Sequence, residues 1–275
     1  MPAEHDGDDP TDPNASTLAH FGMEVRLERE QHDVTQVELA AEVPCHHTLV
    51  QKIETAKRVP SLRFAETCDR IFGTNGRFTR LWRLVIKYAF PAWFRPYVEL
   101  EMRATSVRLF HPYLVPGLLQ TEDYARAVLR AGRPRILDDL VEARMERQRI
   151  LDRENPPDVW AIVEENVLRR AVGDRDLMAG QLRKFLAFAE NPLHVLQVIP
   201  QEVPLHAGSS GPFNILGFQD SDDVVHVDAF PRGHLLADEE DVKASHRAYD
   251  PLKAVALSPD DSVSLLGSVL KEIAS

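Results

Sequence analysis

Cysteine is nearly missing from this chain of 275 residues, which has two, Cys45 and Cys68. A disulfide framework is thereby excluded. Both cysteines fall inside helical patterns, where a free thiol behaves as a small hydrophobe. Long apolar runs are missing as well. None reaches the roughly 18–20 residues that a helix needs to cross a bilayer, so no membrane span is expected. The N-terminal stretch MPAEHDGDDPTDPNAS has neither a basic segment nor an apolar core. It does not read as a signal peptide, and the expected compartment is the cytoplasm.

Catalytic motifs are also missing. HAGSSGPF holds Gly, Ser and His, but it has no G-x-S-x-G elbow and no strand–turn–helix context. There is no phosphate loop and no G-x-G-x-x-G. His194, His206, His226, His234 and His246 are scattered, with no H-x-x-x-H pair, and CxxC does not occur. Glu164 and Glu165 read as an acidic pair on a surface. No metal site, no cofactor and no enzymatic activity are expected.

Positive charge is in short supply: 32 Lys and Arg face 43 Asp and Glu, for a net −11. At first sight that argues against nucleic acid. The imbalance is regional, however. Residues 1–16 hold five acids and no base, residues 17–88 hold 11 bases against 9 acids, and residues 89–275 hold 21 against 29. Phosphate is attracted by a local patch rather than by the global balance. The 44% apolar and 27% charged contents are those of a soluble globular protein, long enough for two domains.

Residues 1–16 lack apolar periodicity and are expected to be disordered. A helical pattern then starts at Leu18, with Phe21 and Val25 on the same face, and runs to about Gln31. Asp33 sits where the chain must turn, and Asp tolerates left-handed geometry. Thr35 with Glu38 three residues on has capping-box spacing. Leu39, Ala40 and Val43 form the buried stripe of that second helix. Pro44 ends it, and a third helix from about His46 turns Leu49, Val50 and Ile53 inward. Ser61 caps a fourth, with Leu62, Ala65, Cys68, Ile71 and Phe72 as its apolar face. GTNG breaks it. Phe78, Leu81, Trp82, Val85 and Ile86 mark a fifth.

The proline- and aromatic-rich residues 89–97 read as a linker. Residues 98–275 read as an α+β domain with a small sheet, mixed or antiparallel, of four to six strands. Its short β-prone runs are HVLQVIP, FNILGF, DVVHVDAF and GHLLAD, and DVWAIVE is a further strand candidate. A long charged helix is expected over Asp138–Arg153, and others over Leu177–Glu190, Asp238 to about Ala256, and Asp260–Ser275. TEDYARAVLRAG also reads as a helix from a Thr cap to a glycine stop, and ion pairs with Glu142 and Glu146 are the expected fate of Arg126, Arg130, Arg144, Arg147 and Arg149.

The stretch TQVELAAEVPCHHTLVQKIE, Thr35 to Glu54, carries the functional signal. On a helix, Val50 and Ile53 share one side, while His47, Thr48, Gln51 and Lys52 fan over the opposite arc. A short helix, a tight connection and a second helix make helix-turn-helix geometry, in which the second helix can enter a major groove. Any small helical bundle also has a polar outer face, so spacing alone leaves both readings open.

Gly22, Arg26, Arg29, TQVELA, VQKIE and KRVPS fall in the order and at the spacing of XRE-type helix-turn-helix repressors, which residues 18–75 resemble. The resemblance implies a lambda-repressor-like, all-α bundle of five helices over residues 17–88. It implies that Arg26 pairs with Glu54 inside the domain, that Gln36 anchors a phosphate, and that His47, Thr48, Gln51 and Lys52 face base edges. Gln suits adenine and Lys reaches guanine O6/N7. Lys57 and Arg58 look like phosphate contacts, and His46 like a groove or phosphate contact. Pro44 stands where most relatives have glycine, and it locks φ near −65°.

Residues 98–275 resemble a C-terminal domain of unknown function found behind such modules in actinobacteria. VPGLLQTEDYARAVL, ARMERQRIL, EENVLRRAVG and VVHVDAF carry that likeness. It implies a regulatory or interaction domain, often with a small protein encoded alongside. Read from the residues themselves, Pro116, Gly117, Gln120 and Thr121 form a turn before a capped helix. That turn is either a ligand or partner loop or a structural one that packs Leu118 and Leu119.

The expectation is a cytoplasmic, nucleoid-associated transcriptional regulator. It would be a dimeric repressor on a palindromic operator, with the second domain binding a partner or effector. The alternatives are an antitoxin-like protein that sequesters a small partner and autoregulates, and a small-molecule sensor with a pocket near Pro116–Thr121.

Overall fold

A computed structural model describes residues 16–43, 47–89, 93–134 and 136–274. The expected disorder of the N-terminal tail concerns residues outside these, apart from Ser16. So do the expectations for Pro44, Cys45 and His46. The chain divides into two compact units, Met1–Pro91 with Ile136–Ala143, and Ala92–Arg135 with Arg144–Ser275.

The first unit is helical. Ser16 accepts a hydrogen bond from the Ala19 N–H and starts α1, Thr17–Gln31, which buries Ala19, Phe21, Gly22 and Val25. Asp33 turns the chain at φ 52°. The capping box of Thr35 and Glu38 is formed in both directions and opens α2, Gln36–Glu42. Helix α3, His47–Glu54, follows. Ser61 caps α4, Leu62–Phe72, which ends at Gly73 in the left-handed region. Helix α5, Arg77–Ala89, completes the series.

Phe21, Phe72 and Phe78 meet at the centre, with ring centroids 5.6 and 6.1 Å apart. Cys68 is fully buried. Leu18, Leu49, Leu62, Ile71 and Leu81, expected inward, are half-buried. Helix α5 has no acid in its own first turn. The Asp69 carboxylate of α4 supplies one, accepting the Phe78 and Thr79 N–H groups, each at 2.9 Å.

A sixth segment belongs to this unit. The long helix expected from Asp138 to Arg153 is α-helical only over Leu137–Arg147 and tightens to a 3-10 turn over Gln148–Leu151. Its first half counts with the helical unit rather than with the following domain. Asp139 accepts the buried Val59 N–H at 2.9 Å, and Asp138 pairs with Arg58 at 2.6 Å. Sequence periodicity could not assign that segment, because the contact closes over 80 residues.

The second unit is built on a sheet. Its elements before the 137–147 helix, which is α8, are α6 (Arg95–Glu101), β1 (Ser106–His111) and α7 (Glu122–Ala131). After α8 come β2 (Asp158–Glu164), α9 (Glu165–Arg169), α10 (Arg175–Ala189), β3 (His194–Ile199) and β4 (Phe213–Gly217). The last are β5 (Val224–Val227), β6 (His234–Leu236), α11 (Glu239–Val255) and α12 (Pro259–Ala274). Helix α6 starts inside the stretch expected as a linker, with proline in its first turn, where a missing N–H costs nothing.

The six strands run in the order β3-β2-β1-β4-β5-β6. The pairs β1–β2 and β2–β3 are parallel, whereas β1–β4, β4–β5 and β5–β6 are antiparallel. The sheet is therefore mixed. The parallel pairs are joined by long helical connections, β4–β5 and β5–β6 by short loops, and the antiparallel β1–β4 pair by the return of the chain after β3.

Strand alternation splits the core into two layers. Val107, Leu109, Val159, Ala161, Val163, Leu196 and Val198 pack with Leu182 and Phe185 of α10 and with Leu266 of α12. Phe110, Ile162, Ile199, Ile215 and Val225 pack on the other side with Tyr249 and Leu252 of α11. Because helices cover both faces, the strands read as nearly continuous apolar runs.

Candidate nucleic-acid interface

Helix α3 is pinned from behind by hydrocarbon. Val50 and Ile53 are fully buried, and each contributes about 1.5–3 kcal/mol by that burial. Thr48, Gln51 and Lys52 lie on its exposed side. His47 belongs to the helix, but its side chain is outside the described set. The end of α3 is fixed by a left-handed Ala56, φ 54°, and by the Lys57 N–H bonding to the Lys52 carbonyl.

Glu54 closes the arrangement. Its carboxylate is buried, and its partner is not Arg26. Arg29 holds it with two bonds, Nε to Oε1 at 2.7 Å and Nη2 to Oε2 at 3.1 Å. The third guanidinium nitrogen of Arg29 donates to the Val34 carbonyl at 3.1 Å. The hydrogen bond to Glu54 raises the Arg29 pKa against the cost of burial. Arg26, one turn earlier on α1, pairs instead with Glu30 at 2.8 Å on the exposed surface. The i,i+4 neighbour takes the outward-pointing arginine, and the inward-pointing fork reaches across to α3.

Gln36 also differs from its expected use. Its side-chain amide donates to Glu54 Oε2 at 2.8 Å, so in the free protein that amide is spent within the domain. One carboxylate thus ties α1, the N-terminus of α2 and the C-terminus of α3 together. Gly22 makes room for this. A methyl group there would overlap the Ile53 carbonyl oxygen and sit 3.1 Å from that of Glu54. Lys57 is exposed, whereas Arg58 is half-buried and paired with Asp138.

In the second unit the expected loop is a hub of internal bonds. The Gln120 Nε2 donates to the Val115 carbonyl at 2.8 Å, and its Oε1 accepts from Arg144 at 2.9 Å. The Gln120 carbonyl accepts from Gln148 at 2.9 Å and from Lys184 at 2.8 Å. The Gly117 carbonyl accepts from Gln148 at 2.8 Å. The Thr121 N–H donates to Gln181 at 2.8 Å, and the Thr121 hydroxyl caps α7. Pro116, Leu118 and Leu119 are buried. These atoms are spent on the fold, which is the structural role of the two expected for this loop.

Of the ion pairs expected with Glu142 and Glu146, Arg149 makes one with Glu146 at 3.3 Å, whereas Arg126 pairs with Glu122 at 3.1 Å. Arg147 instead meets the fully buried Glu101 at 2.6 Å, and the Tyr97 hydroxyl donates to the same carboxylate at 2.7 Å. Burial raises the pKa of Glu101 while Arg147 opposes it. Asn214 extends the network, donating to the Tyr97 hydroxyl and meeting His111 at 2.9 Å. Nothing in the local sequence announces this cluster.

The first unit, with a recognition-type helix braced on its apolar side, defines a helix-turn-helix protein of the DNA-binding regulator class. Residues 20–81 match the helix-turn-helix domain family. Residues 94–268, more than half of the chain, match the domain of unknown function DUF5753, and the chain belongs to that family. No curated protein and no solved structure matches it. Among the described residues no helix is long and apolar enough to cross a membrane.

Proposed function

We propose that the protein is a sequence-specific transcriptional regulator of XRE type, acting as a dimeric repressor on a palindromic operator and having no enzymatic activity. The observation that carries this reading is α3: apolar residues fix its rear, and Thr48, Gln51 and Lys52 are exposed on its flank. A dimer would set two such helices about 34 Å apart, one turn of DNA. Lys57 serves as a phosphate contact; Arg58 would first have to leave Asp138. Gln36 meets phosphate through the exposed N–H groups at the start of α2. The second domain acts as the regulatory part.

The test is the double variant Gln51→Ala with Lys52→Ala, on a duplex recovered by genome-wide binding of the tagged full chain. Base contacts specify and phosphate contacts do not. Specific affinity is expected to fall by about tenfold or more, with non-specific affinity nearly unchanged. Equal losses on both DNAs would refute the assignment. Transcripts from the bound promoters should rise when the gene is deleted if the sign is repression.

A further inference from the structure

The loop that follows α3 is held at both ends. Ala56 turns it in the left-handed region, and the Lys57 N–H bonds to the Lys52 carbonyl at 2.7 Å. The Pro60 carbonyl accepts from the Trp82 indole N–H at 2.7 Å. The loop backbone is thereby tied to α3 and to α5. The freedom that remains is chiefly that of the side chains between those ties, Lys57 and Arg58.

Two neighbouring carboxylates of α8 meet this loop, both within the segment Ile136–Ala143 that belongs to the first unit. They act differently. Asp139 is buried and accepts the buried Val59 N–H at 2.9 Å, so it anchors the helix to the loop. Asp138 lies at the surface. Its side chain is 55% exposed, that of Arg58 is 24% exposed, and the two meet at 2.6 Å. Arg58 acts on the anchor as well. Burial pushes the Asp139 carboxyl up, while the Val59 N–H and the Arg58 charge pull it back down. The loop thus carries one cation engaged by acids, Arg58, next to one that stays exposed, Lys57.

A guanidinium recognises carboxylate and phosphate oxygens with the same donor fork. Asp138 therefore holds Arg58 as a DNA phosphate would. An ion pair this exposed is cheap to open, so the contact can be exchanged. While it lasts, it withholds one cation from the backbone of DNA, and its carboxylate repels phosphate.

We propose that Asp138 is an internal competitor for phosphate: by occupying Arg58 it holds down the DNA affinity of the first unit and makes Arg58 a conditional contact, released when the carboxylate is neutralised or drawn away. The inference rests on the reading of the first unit as a DNA-binding module.

The test is a fluorescence anisotropy titration of the full chain with a non-specific duplex over a series of salt concentrations. It compares the parent, Asp138→Asn, Arg58→Gln and the double variant. Asp138→Asn removes the charge and keeps the shape, and Arg58→Gln keeps the first part of the stem. Asp138→Asn is expected to bind about two- to fivefold more tightly, with a salt dependence steeper by about one phosphate contact. Arg58→Gln should change little in the parent and should abolish the gain in Asp138→Asn, which is the coupling that a double-mutant cycle isolates. A gain that persists in the double variant would make Asp138 a merely repulsive charge and overturn the proposal. Unchanged affinity and salt dependence in Asp138→Asn would overturn it too, and would leave the DNA-binding reading standing. Failure of the parent and of every variant to bind any duplex would remove both. Unaltered melting curves show that the variants are folded.

Discussion

Glu54 shows how a single buried charge organises a recognition helix. Its carboxylate is satisfied by Arg29 and Gln36 from two other helices. Arg29→Ala would leave it buried with one amide donor, and removal of one partner from such a pair is strongly destabilising. The expected loss for the first unit is about 2–3 kcal/mol, discounted because Arg29 keeps some exposure. Arg26→Ala, which loses only an exposed pair with Glu30, should leave the stability nearly unchanged. Denaturant melts of both variants check this, and the reverse order would restore the Arg26–Glu54 pairing. His226 makes a similar point with protons. Burial holds its pKa below the ordinary 6.5, against the pull of Asp228, and His111 is shifted the same way for the same reasons. Below pH 6.5 the unfolded chain therefore takes up protons that the folded state refuses. Stability falls as pH drops, by up to about 1.4 kcal/mol per pH unit for each ring. Melting curves from pH 7.5 to 5 should show this decline, and His226→Phe, whose ring keeps the tilted contact with Tyr97 and the edge contact with Phe94, should make it shallower. An identical slope in the variant would remove His226 from the account.

At the level of elements, close packing of α1 on α3 rests on an absent side chain. Gly22 faces the backbone of Ile53 and Glu54, which cannot move aside as a flexible side chain would. Gly22→Ala should therefore cost about 1–3 kcal/mol or more by overpacking and shift α3. The same variant should lose operator affinity even where it remains folded. Differential scanning calorimetry and a binding titration test both, and a neutral substitution would mean that the two helices are not in contact. The elements themselves were largely readable. Thr35, Glu38 and Ser61 announce helix starts by side chains that bond three residues on, and Asp33 and Gly73 announce stops by backbone angle. Asp69 was not readable as the cap of α5, because it lies in a different helix and acts across nine and ten residues.

For the whole molecule, the helical unit is not a contiguous piece of chain. Asp139 satisfies the buried Val59 N–H at 2.9 Å from 80 residues away. Asp139→Ala should orphan that donor and destabilise the first unit by about 1–3 kcal/mol. A fragment ending at residue 91 should melt at a lower temperature than the same unit in the full chain, and adding Asp139→Ala to the full chain should reproduce the loss. Equal melting temperatures for fragment and full chain would show that residues 136–143 contribute nothing. Within that unit residues 17–88 carry 11 bases against 9 acids, whereas residues 136–143 add three acids, so the balance suited to phosphate belongs to the 17–88 segment alone.

Periodicity and capping spacing were enough for α1 to α5, for most later helices and for the exposed flank of α3, because each depends on residues within about one or two turns of one another, whereas α6 lies in the expected linker and α8 is shorter than expected. The partner of Glu54, the order of the strands, the placement of residues 136–143 and the burial of Glu165 were decided only by folding. Each is a contact between groups distant in the chain, and a linear pattern carries no record of which of several chemically equivalent arginines or carboxylates the packed interior will bring together.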